Sequence, residues 1–264
     1  MAKIITVGTL KGGTGKTTIT FNLAGILAEK HRVLLIDVDA QGNLSSDVGV
    51  DVAIQNRKSL RDVFENSRTK PEEVIIREPI KGLPGLDIIP SHIKLQETDM
   101  RLANRAGREQ ILANWLEDNW MLLNAYDYII LDTNPSMNLL NKNAFYVADK
   151  IILVSDVSFN GVQGIELFMY LWNETRVDLR KQANIAALVI NNYDKRTKLA
   201  GEMKEYCSSS EDIMGILIDQ PIPATVKMKD TSIYHKPINM LYPKSSVHEA
   251  LNSVIEELKE KEVL

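Results

Sequence analysis

Short runs of β-branched and aliphatic residues alternate along this chain with longer stretches whose apolar positions recur at helical spacing. The runs predict strands at 3–9, 32–37, 86–90, 128–132, 150–155, 185–191 and 215–218. Several, such as Val33-Leu34-Leu35-Ile36 and Ile129-Ile130-Leu131, are apolar at every position rather than every second one. That is the pattern of a strand buried on both faces, as in a parallel sheet covered by crossover helices. Helices are expected at 16–29, 108–119, 139–147, 161–174 and 199–206. A final helix is marked by Ser246 and Glu249 in capping-box spacing and by the stripe Val247, Leu251, Val254, Ile255 and Leu258. Residues 51–84 are charged and weakly periodic, and predict an irregular excursion over the sheet edge. The fold class is therefore α/β, a mostly parallel central sheet with helices on both faces.

Composition narrows the picture only modestly. The 264 residues could hold one large domain or two small ones, and the absence of repeats, low-complexity tracts and Gly/Ser linkers favours one unit. With 44% apolar and 25% charged residues the chain reads as globular, and it has no run that would span a bilayer and no signal-peptide start. A soluble, non-exported protein is the expectation. The single cysteine, Cys207, rules out an intrachain disulfide and any site needing two cysteines of one chain. The four histidines show no metal-ligand spacing. A net charge of −4 excludes a protein coated in positive charge, though a folded basic patch remains open.

The chemistry concentrates after the first strand. Ile4-Ile5-Thr6-Val7 leads into Gly8-Thr9-Leu10-Lys11-Gly12-Gly13-Thr14-Gly15-Lys16-Thr17-Thr18 and then a helical pattern. Gly12, Gly13 and Gly15 allow tight turns and close backbone approach. Amides at a helix start can then surround phosphate oxygens, with Lys16 reaching the β- and γ-phosphates and Thr17 placing its hydroxyl on Mg²⁺. Thr14 and Thr18 complete the cradle. Leu10 stands where the strict G-x-x-x-x-G-K-[ST] motif has glycine. Two further strands end in acids, Asp37-Val38-Asp39 and Asp132-Thr133-Asn134-Pro135, and ligands of parallel sheets bind beyond such carboxyl ends.

The run Lys11-Gly12-Gly13-Thr14-Gly15-Lys16-Thr17 resembles the deviant Walker A loop of the ParA/MinD branch of P-loop ATPases, specifically ParA/Soj-type partition ATPases. The resemblance extends from Lys3 to the last helix. It implies a P-loop NTPase fold, one ATPase domain over 1–264 with no helix-turn-helix domain before it, and ATP with Mg²⁺ as cofactors. Lys11 would be the signature lysine, reaching the phosphates of the other subunit in an ATP-bound sandwich homodimer. Asp39 would orient the attacking water and lie with Thr17 and Asp132 at the metal, with Asp37 in support. Relatives often have proline where Asn134 stands. Asn191, or failing it Asn192, would read the adenine edge, and the loop from Ile222 and Pro223 would close over the base. Lys195, Arg196 and Lys198, at the start of one helix, and Lys227 and Lys229 are candidates for DNA phosphates.

The implied function is plasmid or chromosome partition, with nonspecific DNA binding and hydrolysis stimulated by a centromere-binding ParB-like partner. The expected location is cytoplasmic and nucleoid-associated. A MinD-like ATPase that positions division is the nearest alternative, but the run from Glu256 to Leu264 holds more acids than lysines, which disfavours a membrane. A nucleotide-dependent scaffold without DNA is the other.

Overall fold

The computed structural model describes residues 1–51 and 57–264. Its strands are β1 (Lys3–Gly8), β2 (Val33–Asp37), β3 (Ile76–Arg77), β4 (Leu86–Ile89), β5 (Tyr128–Asp132), β6 (Lys150–Asp156) and β7 (Ile185–Asn191). They form one sheet in the order β3-β4-β2-β5-β1-β6-β7. All neighbours pair parallel except β3, a short antiparallel edge on β4. The longer helices are α1 (Lys16–Leu27), α2 (Leu95–Leu102), α3 (Ile111–Asp118), α4 (Leu139–Val147), α5 (Phe159–Asp178), α6 (Lys198–Ser209), α7 (Lys227–Ile233) and α8 (Ser246–Glu260).

Alternate strand residues serve opposite layers. Val33 and Leu35 join Ile5, Val7, Ile152 and Val154 in a core shared with α1 and α8. Leu34 and Ile36 face the other way, against Phe64, Trp115 and Leu140. Beyond them Ile151 and Leu153 pack with Phe168 and Trp172 of α5 and Met203 of α6. Burial on both faces thus accounts for the continuously apolar strands. It also leaves the carboxyl ends of β1, β2 and β5 together, with Asp37 directly beside Asp132 in the parallel register.

Four expectations need correction. Residues 215–218 add no strand to the sheet. They make an isolated parallel bridge of Leu217 to Leu188, because Gly215 ends a helical turn and Pro221 and Pro223, lacking amide protons, leave no ladder to extend. The excursion at 51–84 is more ordered than its charge suggests, although residues 52–56 lie outside the described residues. Leu60–Glu65 is a helix burying Leu60, Val63 and Phe64, with Ser59 and Asp62 in a capping box. Helix α5 outruns its expected bounds at both ends, and its earlier start follows from Ser158, which caps it by accepting the Gly161 amide. At α8 the cap is Ser245, whose Oγ accepts the His248 amide at 3.3 Å, and Ser246 is an exposed first-turn residue. The helix thus starts one residue earlier than the Ser246/Glu249 spacing implies.

Ser245→Ala should therefore cost about 1 kcal/mol of stability by loss of the cap, whereas Ser246→Ala should change it by less than about 0.5 kcal/mol. Urea unfolding of the two variants checks this. Equal losses would show that the cap is misassigned.

Candidate functional site

The turn from β1 into α1 is shaped by two left-handed glycines, Gly13 at φ 78° and Gly15 at φ 85°. Gly15 is required twice over, since a Cβ there would also lie 2.2 Å from Asn191 Nδ2. The loop forms the floor of a cavity of about 580 Å³, lined by Thr9, residues 11–18, Asp39, Gln41, Asn43, Asp47, Pro135 and Ser232. Open space surrounds the Cβ position of Gly13, so the backbone is accessible from the cavity.

Lys16 opens α1 with its side chain almost wholly buried. Its Nζ lies 3.3 Å from Asp132 Oδ1 and donates to the Thr133 carbonyl. Thr17 Oγ1 donates to Asp132 Oδ2 at 2.7 Å, and Thr20 Oγ1 to Oδ1 at 3.2 Å. Burial pushes the Asp132 carboxyl above the usual range, against the pull of Lys16 and Thr17. Asp37 is fully buried and is raised to about 7, first by burial and then by the charge of Asp132. Its oxygens accept from the Ser45 amide at 2.8 Å, the Ser45 hydroxyl at 2.7 Å and the Asp39 amide at 3.2 Å. Asp37 is thus tied into the β2 turn, while Asp39 lines the cavity and caps the Gln41 amide at 2.9 Å. Asp47, also lining the cavity, is raised by burial to about 6.

This arrangement suits a polyanion with a metal. Thr14 Oγ1 is buried without a partner, the loop offers its amides at a helix start, and Lys16 supplies an ammonium in a desolvated setting. Among the described residues no cluster of three His, Cys, Asp or Glu could hold a metal alone. Mg²⁺ does not need one, because it binds through one or two protein oxygens together with phosphates and water. Thr17, Asp132 and Asp39 are the donors at hand.

Lys11 stands on the same rim, but its Nζ is held by Asp156 Oδ2 at 2.6 Å, Asp156 Oδ1 at 2.8 Å and Ser158 Oγ at 2.7 Å. Asn191 Nδ2 donates to the Thr14 carbonyl at 2.8 Å, so in this structure it braces the loop. Asn192 is exposed at φ 53°. Pro223 pairs with Tyr193 beside that strand end and lines a second cavity of about 560 Å³ with Tyr193, Asp194, Lys195 and Arg196. Lys195 and Arg196 precede α6 instead of lying in it, because Thr197 is the cap. Arg196 is paired with Asp194 at 2.7 Å, Lys198 with Glu202 at 3.0 Å, and Lys227 lies 5.4 Å over the Tyr242 ring. Lys195 and Lys229 are exposed cations outside every ion pair among the described residues.

Sequence reading overlooked Asp47, Asp156 and Ser158. Asp156 had a readable signal, since it ends β6 as Asp37 and Asp132 end their strands, but the expected strand stopped one residue short. Asp47 had none, because a turn aspartate five residues past a glycine looks like any other.

A parallel sheet whose first strand runs through a glycine turn into a helix headed by a buried lysine, beside strand-end carboxylates, defines a P-loop nucleoside-triphosphatase fold. A family profile described as an AAA domain matches residues 2–187. The chain is 31% identical to the chromosome partitioning protein ParA of Caulobacter vibrioides, over 91% of this chain and 87% of that one. It is 34% identical to the cell division protein PomZ of Myxococcus xanthus, over 74% of this chain and 59% of that one. In three dimensions it resembles a Borrelia burgdorferi B31 protein assigned to plasmid partition and bound to AMPPNP, with a TM-score of 0.81, 22% identity and coverage of 99% and 100%. The chain belongs to the ParA/Soj family of partition ATPases.

The Asp37 shift makes stability depend on pH in a stated direction. The unfolded carboxyl ionises near pH 4, whereas the folded one keeps its proton to about pH 7. Between those values the folded state binds the extra proton, so stability falls as pH rises from about 4 to 7 and levels off above. Urea unfolding in EDTA should show stability falling across that window, with Asp47, also raised, adding to Asp37, and the fall should be smaller in Asp37→Asn. A wild-type curve that rises over the window would refute the reading.

Proposed function

We propose that this chain, as a single ATPase domain, is an ATP-hydrolysing partition switch. ATP with Mg²⁺ joins two copies, the dimer holds DNA without sequence preference, and a ParB-like protein on a centromere-like site stimulates hydrolysis. The observation that carries the reading is Lys16, buried against Asp132 and Thr133 beneath a loop whose Thr14 hydroxyl is unpaired. In this reading Lys16 and the amides of 12–18 bind the β- and γ-phosphates, with Thr17 and Asp132 as metal donors. Bound Mg²⁺ would neutralise charge on the phosphate oxygens. Asp39, facing the cavity, orients the attacking water. Lys11 leaves Asp156 and Ser158 to meet the phosphates of the second copy. The second cavity, lined by Pro223, takes the base.

Titration with a fluorescent ATP analogue, phosphate release and light scattering test these roles together. Lys16→Ala should lose nucleotide affinity by about a hundredfold or more, because the loop amides alone hold a triphosphate weakly. Lys11→Ala should bind ATP as a monomer. Asp39→Ala should dimerise with ATP and hydrolyse it at least about tenfold more slowly, a transition-state effect rather than a binding one. Undiminished affinity in a folded Lys16→Ala protein would end the assignment.

Lys195 and Lys229, which make no ion pair among the described residues, are better placed for DNA than Arg196, Lys198 and Lys227, whose charges are partly engaged within the chain. DNA binding should require ATP, and Lys195→Glu with Lys229→Glu should weaken it while lowering the salt slope by about 1 for each phosphate no longer neutralised. Gel shifts of a nonspecific duplex in ATP, ADP and no nucleotide over a salt series measure this. Binding that is equal in all three would favour a DNA-independent switch. The likeness to a cell division protein supports a second reading, in which the same cycle positions a division apparatus. No helix among the described residues is long and apolar enough to cross a membrane. The partition reading puts the chain in the cytoplasm, at the nucleoid.

A further inference from the structure

Asn141 lies in the first turn of α4 with no exposed surface, fixed by its own amide, which donates to the capping Asn138 Oδ1 at 3.0 Å. From there its single Nδ2 lies 2.8 Å from the Asn134 carbonyl, 2.8 Å from Asn134 Oδ1, 2.7 Å from the Ser136 carbonyl and 3.3 Å from Ser136 Oγ. Its Oδ1 is buried with no partner. An amide kept only to fill and satisfy a core would use both ends, so this one is specialised for donation.

The residue between its two targets is Pro135, which walls the phosphate cavity and comes within 3.9 Å of the Cβ position of Gly12. The residue before them is Thr133, whose carbonyl holds Lys16. We propose that Asn141 is a positioning residue for nucleotide hydrolysis, setting the Asn134–Ser136 wall of the cavity against the Lys11–Gly12 end of the loop. The inference rests on the nucleotide reading of that cavity. The amide carries two hydrogens and meets four acceptors, so it serves two at a time. All four acceptors flank Pro135, so whichever two the amide serves, the bonds hold the residues on either side of it.

The test compares Asn141→Leu, which keeps the branching at Cγ and removes the donors, with Asn134→Ala and the double variant. ATP and ADP affinity, kcat, KM and melting temperature are measured for each. Asn141→Leu should lower kcat by about tenfold, the effect expected of a misplaced wall, while changing ADP affinity less than about twofold. The double variant should be no slower than Asn141→Leu alone, since both remove one interaction. A folded Asn141→Leu protein with wild-type kcat would overturn the proposal. So would effects that simply add, or a loss of kcat that matches the loss of ADP-binding sites. If Asn141→Leu does not fold, Asn141→Ala, which also removes both donors, decides in its place, since Asn134→Ala leaves the Asn134 and Ser136 carbonyls as acceptors: a fall in kcat at constant ADP affinity supports the clip, and unchanged kcat ends it. Failure of the wild type to bind ATP would overturn the nucleotide reading and this proposal with it.

Discussion

The Lys16–Asp132 pair is the constraint on which the site depends. Both groups are nearly or wholly out of water, and neither could bear that alone. Each therefore needs the other, and the pair needs Thr17, Thr20 and the Thr133 carbonyl to satisfy what remains of its bonding capacity. Those contacts fix α1 to the end of β5. With α1 fixed, the loop before it must turn through Gly13 and Gly15, and its amides are presented at the head of the helix. A buried pair of this kind contributes little net stability. It holds an ammonium where a more highly charged anion can compete for it.

Competition of this sort recurs on the cavity rim. Lys11 is held by the carboxylate that ends β6 and the hydroxyl that caps α5, both side chains of the ion pair about a quarter exposed. At that exposure the interaction is worth on the order of 1 kcal/mol, which a phosphate group can exceed. The two lysines of the loop therefore differ in kind. Lys16 is confined by burial, whereas Lys11 is held by a partner it can exchange.

The sheet was legible because its strands are apolar on both faces, a pattern that few architectures besides a covered parallel sheet produce. The glycine turn from β1 into α1, with its buried lysine, was legible because glycine spacing, lysine and flanking elements agree. What escaped did so for physical reasons. The helix Leu60–Glu65 buries three residues at helical spacing, but the surrounding charges masked it, and its cap carries Asp62 where glutamate is the usual signal. Residues 215–218 have strand composition and do bond the Leu188 backbone of β7, yet the helical turn before Gly215 and the prolines at 221 and 223 keep that contact from growing into a strand, which is a tertiary outcome. The basic residues were legible as residues only. Whether Arg196 offers charge depends on Asp194 two positions away, and that pairing shows only in the fold.

Asn134 illustrates the same limit from the other side. At that position proline would fix the backbone by its ring, whereas asparagine leaves it free, so the sequence alone suggests a looser loop. The fold supplies the missing restraint seven residues downstream, where Asn141 reaches back from the first turn of α4. A ring restraint is permanent, but a hydrogen-bonded one is shared among acceptors and can rearrange. The loop is thus held in place without being locked, and its hold belongs to α4, whose Leu140 and Ala144 are buried in the core on one face of the sheet. A hydrogen-bonded restraint from the first turn of α4 thus ties the cavity wall to the core beneath it.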